Sequence, residues 1–274
     1  MNASCREAVI LYGSVRIICF SDILMKKYDL PIAILAVINR MRFTRKAKGK
    51  AMIIVEPRRH PRLQQTLENF DSVMDKSWDL YVFYGKGGGD YARKAAGAVK
   101  GRRVFLEPLA VRNLTADDYN ELFKQETFWN KIRAENILVF QTDAALCASS
   151  KKKIEDFMRF DYIGCHSGAK VGPLAEWEGH SYYGIGGLSF RRKSFTLRWI
   201  RENPGIKPSF AEDVFFANGV HKSPHSRRPQ RKDLAEFCSQ GRYDADSLGA
   251  HKISWMKKQH TRKFLKFCPA AEGI

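Results

Sequence analysis

The sequence lacks any hydrophobic run long enough to cross a bilayer. Its most apolar stretch near the N-terminus, Leu30–Ile38, falls far short of the roughly 20 residues that a spanning helix needs. Upstream, Asp22, Lys26, Lys27 and Asp29 interrupt the apolar character, and no small-residue cleavage site follows, so neither a signal peptide nor a transmembrane anchor is read. Cysteine is sparse and irregular: Cys5, Cys19, Cys147, Cys165, Cys238 and Cys268 include no Cys-x-x-Cys pair. That excludes a zinc ribbon and gives no sign of a disulfide framework, so a reducing compartment and a cytoplasmic location are expected. On that expectation the sequons at Asn2 and Asn113 have no glycosylation meaning. Also missing are a His-Glu-x-x-His zinc pattern and any repeat of 20 to 50 residues. Acid is in short supply, with 29 Asp plus Glu against 47 Lys plus Arg, a net charge of +18.

What remains is ample core material. With 44% hydrophobic and 12% aromatic residues the chain can bury a sizeable interior, which rules out a disordered polyelectrolyte. Lys and Arg cluster at 40–50, 191–193, 227–232 and 257–266. Such clusters can neutralise nucleic-acid phosphates, yet no RNA-recognition, KH, zinc-finger or basic-zipper signature accompanies them, so no specific nucleic acid is expected. Attraction to anionic nucleotide-sugars, or peripheral contact with a membrane surface, suits the same charge.

Along the chain, residues 1–50 read as an N-terminal appendage ending in a basic run, 51–255 as the main domain and 256–274 as a basic C-terminal tail. Ala51–Val55, Asp79–Tyr84, Arg103–Leu106 and Ile137–Phe140 read as buried strands. Helices are expected at about Arg62–Lys76, Tyr91–Val99, after Thr115, and at Ser149–Arg159 and Ser194–Glu202. This alternation predicts a single α/β domain with a mostly parallel sheet flanked by helices, and places chemistry beyond the carboxyl ends of the strands.

Asp143 follows the fourth of these strands directly, where hard divalent cations find oxygen ligands. The bland alternative, an Asp that caps a turn, has equal weight on position alone. Gly184, Gly186 and Gly187 allow a ligand close to the backbone, or make a tight turn or bulge. Glu212-Asp213 precede Val214-Phe-Phe216, so a carboxylate there can enter a pocket as a base or merely open a helix. His251, following glycine in an expected loop, is a metal ligand or a structural histidine. Gly85–Gly89 lacks the rest of a P-loop or dinucleotide fingerprint and reads as a turn.

Taken in order, seven segments resemble a family of GT-A-type glycosyltransferase-like domains, many known only as domains of unknown function and several found in large DNA viruses. They are Ala51–Glu56, Asn113-Leu-Thr with Asp118-Tyr119 and Phe128-Trp-Asn130, Ile137–Asp143, Phe160–Gly164, Gly186–Arg191, Glu212–Phe216 and Leu248–Lys252. The resemblance spans about residues 51–252 and implies a GT-A-like, Rossmann-related fold that moves a sugar from a nucleotide-diphosphate donor, a UDP-sugar first among candidates, to a glycan, protein or lipid acceptor. It further implies Asp143 and His251 as ligands of a divalent cation, Mn2+ or else Mg2+. Glu56 and Arg58 fall where the nucleoside lies, and Gln141, Thr142, Gly186, Gly187 and Glu212 are implied at the donor. Asp213 resembles the base of inverting enzymes. Gln141 stands where the motif's first Asp is expected, which keeps a degenerate, nucleotide-binding transferase among the alternatives, beside a non-catalytic polyanion binder that uses the basic surface.

Overall fold

Short aliphatic strands buried on both faces build the centre of the sheet. The computed structural model describes residues 10–11, 14–15, 49–166, 184–204 and 211–274. The chain divides into two compact units, Met1–Lys46 and Ala47–Ile274. In the first, β1 (Ile10–Leu11) pairs antiparallel with β2 (Ser14–Val15). The remainder of the expected appendage, with Asn2, Cys5, Cys19 and most of the basic run, lies outside the described residues.

In the second unit, β3 (Lys50–Val55), β4 (Trp78–Tyr84), β5 (Val104–Pro108) and β6 (Asn136–Phe140) run parallel in the order β5-β4-β3-β6. Helices α1 (Leu63–Val73) and α2 (Gly89–Ala96) fill the first two crossovers, and α3 (Ala116–Phe123) and α4 (Glu126–Asn130) the third. Helix α1 buries Leu63, Leu67 and Phe70, a stripe at helical spacing. The capping box of Thr115 and Asp118 starts α3 where the sequence places it.

Strand side chains alternate between two cores. Met52, Ile54, Leu80, Val82, Leu138 and Phe140 pack on one face with α1 and α2, while Ala51, Ile53, Tyr81, Phe83, Ile137 and Val139 pack on the other with Phe123, Phe128 and Trp129. Beyond β6 the sheet continues as β9-β8-β10-β11-β7, comprising β7 (Ala144–Leu146), β8 (Tyr162–His166), β9 (Gly184–Arg192), β10 (Cys238–Ser239) and β11 (Gly249–His251). Strand β9 is antiparallel to both β6 and β8, and β11 to β7; the other pairings are parallel. Helices α5 (Lys193–Glu202), α6 (Glu212–Lys222) and α7 (Arg231–Phe237) cover this half. The α/β class with a mostly parallel sheet flanked by helices holds.

Several local expectations change. Ser149–Arg159 forms only a 3-10 turn at Ile154–Phe157, because the apolar residues it offers the core, Ile154, Phe157 and Met158, crowd at one end and make no full apolar stripe. The His251 segment is a strand rather than a loop, because it pairs along its length with β7. Gly184, Gly186 and Gly187 lie within β9, where a register shift against β8 fits the bulge reading. Residues 256–274, read as a tail, contain α8 (Lys258–Phe267) and a closing 3-10 turn at Pro269–Ala271. Met256, Phe264, Ala271 and Ile274 pack against Ala145, Ala250 and Ile253, leaving Lys258, Arg262, Lys263 and Lys266 exposed.

The cysteine reading is corrected outright. Cys147 pairs with Cys268 and Cys165 with Cys238 across sequence separations of 121 and 73 residues. Such separations leave no local spacing pattern for a sequence to display. Structural cystines persist in oxidising compartments, so the argument for a cytoplasmic location no longer stands. Among the described residues no helix is long and apolar enough to cross a membrane.

Cross-links that close such long loops stabilise by about 2–5 kcal/mol each. Urea unfolding followed by circular dichroism should therefore shift to lower midpoints in dithiothreitol, and a Cys147→Ser, Cys268→Ser double variant should lose one such increment. Unchanged midpoints would show that neither pair contributes.

Candidate functional site

The order β4-β3-β6 makes the chain leave β3 on both sides, and at this switch point the carboxyl ends of β3 and β6 open a crevice. Glu56 follows β3 and Gln141-Thr142-Asp143 follow β6. These residues floor a cleft of about 420 Å³ whose walls include Asn113, Tyr119, Asn120, Glu212, Asp213, His251 and Lys252.

The Glu56 carboxylate is buried and held by Arg58, which donates from Nε at 2.8 Å and Nη2 at 2.9 Å and from its backbone N–H at 3.1 Å. This paired geometry is the strong form of the carboxylate–guanidinium contact, and Glu56 raises the guanidinium's pKa further. Thr142 Oγ1 lies 3.5 Å from the same carboxylate.

Asp143 and His251 meet because β7 and β11 pair antiparallel, with Ala144 opposite His251. His251 Nε2 stands 3.2 Å from Asp143 Oδ1, and Lys252 Nζ 3.9 Å from Oδ2. Burial alone would raise the Asp143 carboxyl, but His251 and Lys252 hold it below the usual carboxylate range. Lys252 has a left-handed backbone (φ 47°) and donates its N–H to the Asp143 carbonyl, which turns the chain just after His251. The two facing atoms, Asp143 Oδ1 and His251 Nε2, are buried and make no hydrogen bond among the described residues. On its other side the His251 ring is fixed by Gln240 Oε1, 2.8 Å from Nδ1. The ring lies against Gly187, where a Cβ would overlap Cε1 and Nε2. Only glycine leaves room there.

A second anchor forms at the start of α6. Glu212 is buried, and its Oε2 lies 2.6 Å from Arg191 Nη1 of β9. The guanidinium is enclosed by Phe123, Trp129, Tyr162 and Phe216, with Cζ 5.0–5.6 Å from each ring centroid, and its Nε donates to Ser189 Oγ. Burial pushes the Glu212 carboxyl up while Arg191 pulls it down; Arg191 itself, against its own burial, is held protonated by Glu212. The neighbouring Asp213 carboxylate accepts Gly186 N–H at 3.0 Å and Val214 N–H at 2.7 Å, one on each oxygen. Glu212 Oε1 and Asp213 Cβ leave no space for a side chain on Gly186. Asn120 Oδ1 accepts the Glu212 N–H, and burial pushes the nearby Tyr119 phenol up.

Glu56, Arg58, Gln141, Thr142, Asp143, Gly187, Glu212, Asp213 and His251 thus line one cleft, and Gly186 backs onto the two carboxylates. Arg191, Gln240 and Lys252 were given no site role by the sequence. For Arg191 a signal exists: it shares a strand face with Gly187 and Ser189, an unusual place for a charge. Gln240 has none, because its role depends on a contact between strands. Chemically, the cleft offers a carboxylate–imidazole pair suited to a hard cation, Arg58 and Lys252 as anion partners, and a carboxylate clamped by backbone donors.

A protein-family model described as "Protein of unknown function (DUF5672)" matches residues 105–251. No curated protein matches the sequence. Among solved structures, an inositol-1-phosphate CTP transferase from T. maritima has 10% identity and a TM-score of 0.45, covering 82% of this chain and 98% of its own. Core-mannan synthase A from Aspergillus fumigatus, in a Mn/GDP form, has 11% identity and a TM-score of 0.42, covering 65% and 71%. The apo glycosyltransferase GlyE from Streptococcus pneumoniae has 8% identity and a TM-score of 0.44, covering 77% and 55%.

Removing one member of a buried ion pair strands the other, at a cost of about 3–5 kcal/mol. Glu212→Gln or Arg191→Met should lower chemical-denaturation stability on that scale, and the Glu212→Leu, Arg191→Met double variant should recover much of it. Single variants as stable as the parent would show that the pair does not hold α6 to β9.

Proposed function

The chain belongs to the DUF5672 family, and we propose that it is a glycosyltransferase that moves a sugar from a nucleoside-diphosphate donor to an acceptor hydroxyl with inversion. The supporting observation is the gathering of the Asp143–His251 pair and the Glu212–Asp213 carboxylates in one cleft at the topological switch point. The donor's nucleoside is assigned to the side of Glu56 and Arg58, its diphosphate to that of Asp143, His251 and Lys252, and a UDP-sugar is the first candidate. The acceptor class, whether glycan, protein or lipid, is left to pocket-lining loops.

The residues fit a divalent cation such as Mn2+ or Mg2+. Asp143 Oδ1 and His251 Nε2 are buried atoms that face each other at 3.2 Å, and the deprotonated ring and the carboxylate together make a donor set that a cation would accept. No group of three or more ligating side chains occurs among the described residues, so two protein ligands would leave the remaining positions to donor oxygens and water. When bound, the cation would neutralise charge developing on the departing diphosphate. Arg58 and Lys252 add positive charge to the same region.

Asp213 is assigned as the base. Its two backbone hydrogen bonds fix the carboxylate's orientation and leave each oxygen a lone pair. As the acceptor oxygen bonds to the anomeric carbon, its proton passes to Asp213 and the bond to the diphosphate breaks. One displacement of this kind inverts the anomeric configuration. Glu212, neutralised by Arg191, serves as the scaffold that places Asp213 and Gly186.

A thermal-shift screen of nucleoside diphosphates with and without Mn2+ is the direct test, since a ligand at about 100 times its dissociation constant adds about 2.7 kcal/mol of stability. Asp143→Ala should abolish the Mn2+ enhancement and leave the melting transition intact; an undiminished enhancement would remove Asp143 as a ligand. Asp213→Asn should keep donor affinity while transfer falls about 100- to 10,000-fold, with NMR reporting an inverted product from the parent enzyme. Retention, or near-parental turnover, would remove Asp213 from the mechanism. Nucleotide binding with no transfer would point to the degenerate transferase, and steeply salt-dependent nucleic-acid binding without donor hydrolysis to the polyanion binder.

A further inference from the structure

We infer that Gln240 is a positioning residue that selects the tautomer of His251, holding its proton on Nδ1 so that Nε2 presents a bare lone pair beside Asp143. The inference rests on the proposed cation site and extends it to a residue that touches neither donor nor cation.

Gln240 follows β10 directly and is fully buried. Its place is set by main-chain pairing: Cys238 lies opposite Gly249 and Ser239 opposite Ala250, so the next residue on each strand brings Gln240 level with His251. The Cys165–Cys238 cystine and the hydrogen bond from Gln240 N–H to the His166 carbonyl hold this strand end to β8. The amide oxygen Oε1 stands 2.8 Å from His251 Nδ1. A carboxamide oxygen only accepts, so Nδ1 carries a proton in this orientation of the amide, and Nε2 is the nitrogen that is bare whenever the ring holds a single proton.

Nε2 faces the Asp143 carboxylate at 3.2 Å, a separation at which a second ring proton or a shared cation can lie between the two atoms. The rival arrangement turns the amide over: Nε2 of Gln240 would donate to Nδ1, the imidazole proton would move to Nε2, and the histidine would simply donate to Asp143. The amide nitrogen of Gln240 is buried without a hydrogen bond among the described residues, so the tautomer is the observable that separates a ligand-presenting histidine from a structural one. Gly187 contributes the other constraint, because its missing side chain lets the ring lie flat at this depth.

The test combines two readouts on the full chain. In the metal-free protein, 15N NMR of the imidazole nitrogens, assigned by their loss in His251→Asn, should show the proton on Nδ1. In parallel, Mn2+ affinity is measured by electron paramagnetic resonance of the free ion, with circular dichroism confirming that each variant folds. Gln240→Leu should weaken Mn2+ binding about 10- to 100-fold, the usual effect of losing the partner that orients a metal-binding histidine. Gln240→Glu keeps an acceptor at the same place and should restore binding to within a few-fold of the parent. Gln240→Leu that binds Mn2+ within twofold of the parent, or a singly protonated imidazole with its proton on Nε2 in the metal-free parent, would overturn the inference. Failure of the parent to bind Mn2+ at all would overturn the cation site, while the tautomer would still decide the role of Gln240. Should Gln240→Leu fail to fold, the parent tautomer and the Gln240→Glu affinity carry the decision.

Discussion

A guanidinium sealed inside aromatic rings is tolerable only when a carboxylate meets it, and the Arg191–Glu212 pair is the constraint on which the site depends. Arg191 extends from β9 into a cage built by α3, α4, β8 and α6, through Phe123, Trp129, Tyr162 and Phe216. The pair gains little over apolar side chains of similar volume, because desolvation consumes most of the attraction. Its value is directional. By demanding Glu212 at one point it fixes where α6 begins, brings Asp213 onto the Gly186 N–H, and lets Asn120 of α3 receive the Glu212 N–H.

The other half of the cleft depends on pairing between distant strands. Asp143 and His251 belong to opposite ends of the domain and become neighbours because β7 lies antiparallel to β11. Each strand end is tied down nearby: Cys147 just after β7 is bonded to Cys268 after α8, and Cys238 of β10 to Cys165 of β8. The residues read as a basic tail therefore stand behind the Asp143–His251 pair.

Charge is distributed in keeping with this division. The excess of Lys and Arg includes the exposed side of α8, where Lys258, Arg262, Lys263 and Lys266 remain in solvent. Inside the cleft the cations are few and each has a carboxylate close by, Arg58 with Glu56 and Lys252 with Asp143. A field from the surface attracts anions in general. Under the proposed function, the paired groups within would select among them by position.

Much of the framework was legible locally. The buried strands from Ala51, Asp79 and Ile137, the capping signal at Thr115 and the carboxylate after the fourth strand follow from apolar patterning and capping chemistry within a few residues, and the Thr115–Asp118 cap is local in the folded chain too. The segments Gln141–Asp143, Gly186-Gly187, Glu212-Asp213 and Leu248–Lys252 could be singled out by residue type and order, and only the family resemblance implied that Asp143 and His251 meet. Tertiary structure alone decided that Arg191 neutralises Glu212, that Gln240 meets the His251 ring, and that four cysteines pair. Each of these is a contact between segments far apart in sequence, and local propensity carries no information about which distant strand a residue will lie beside.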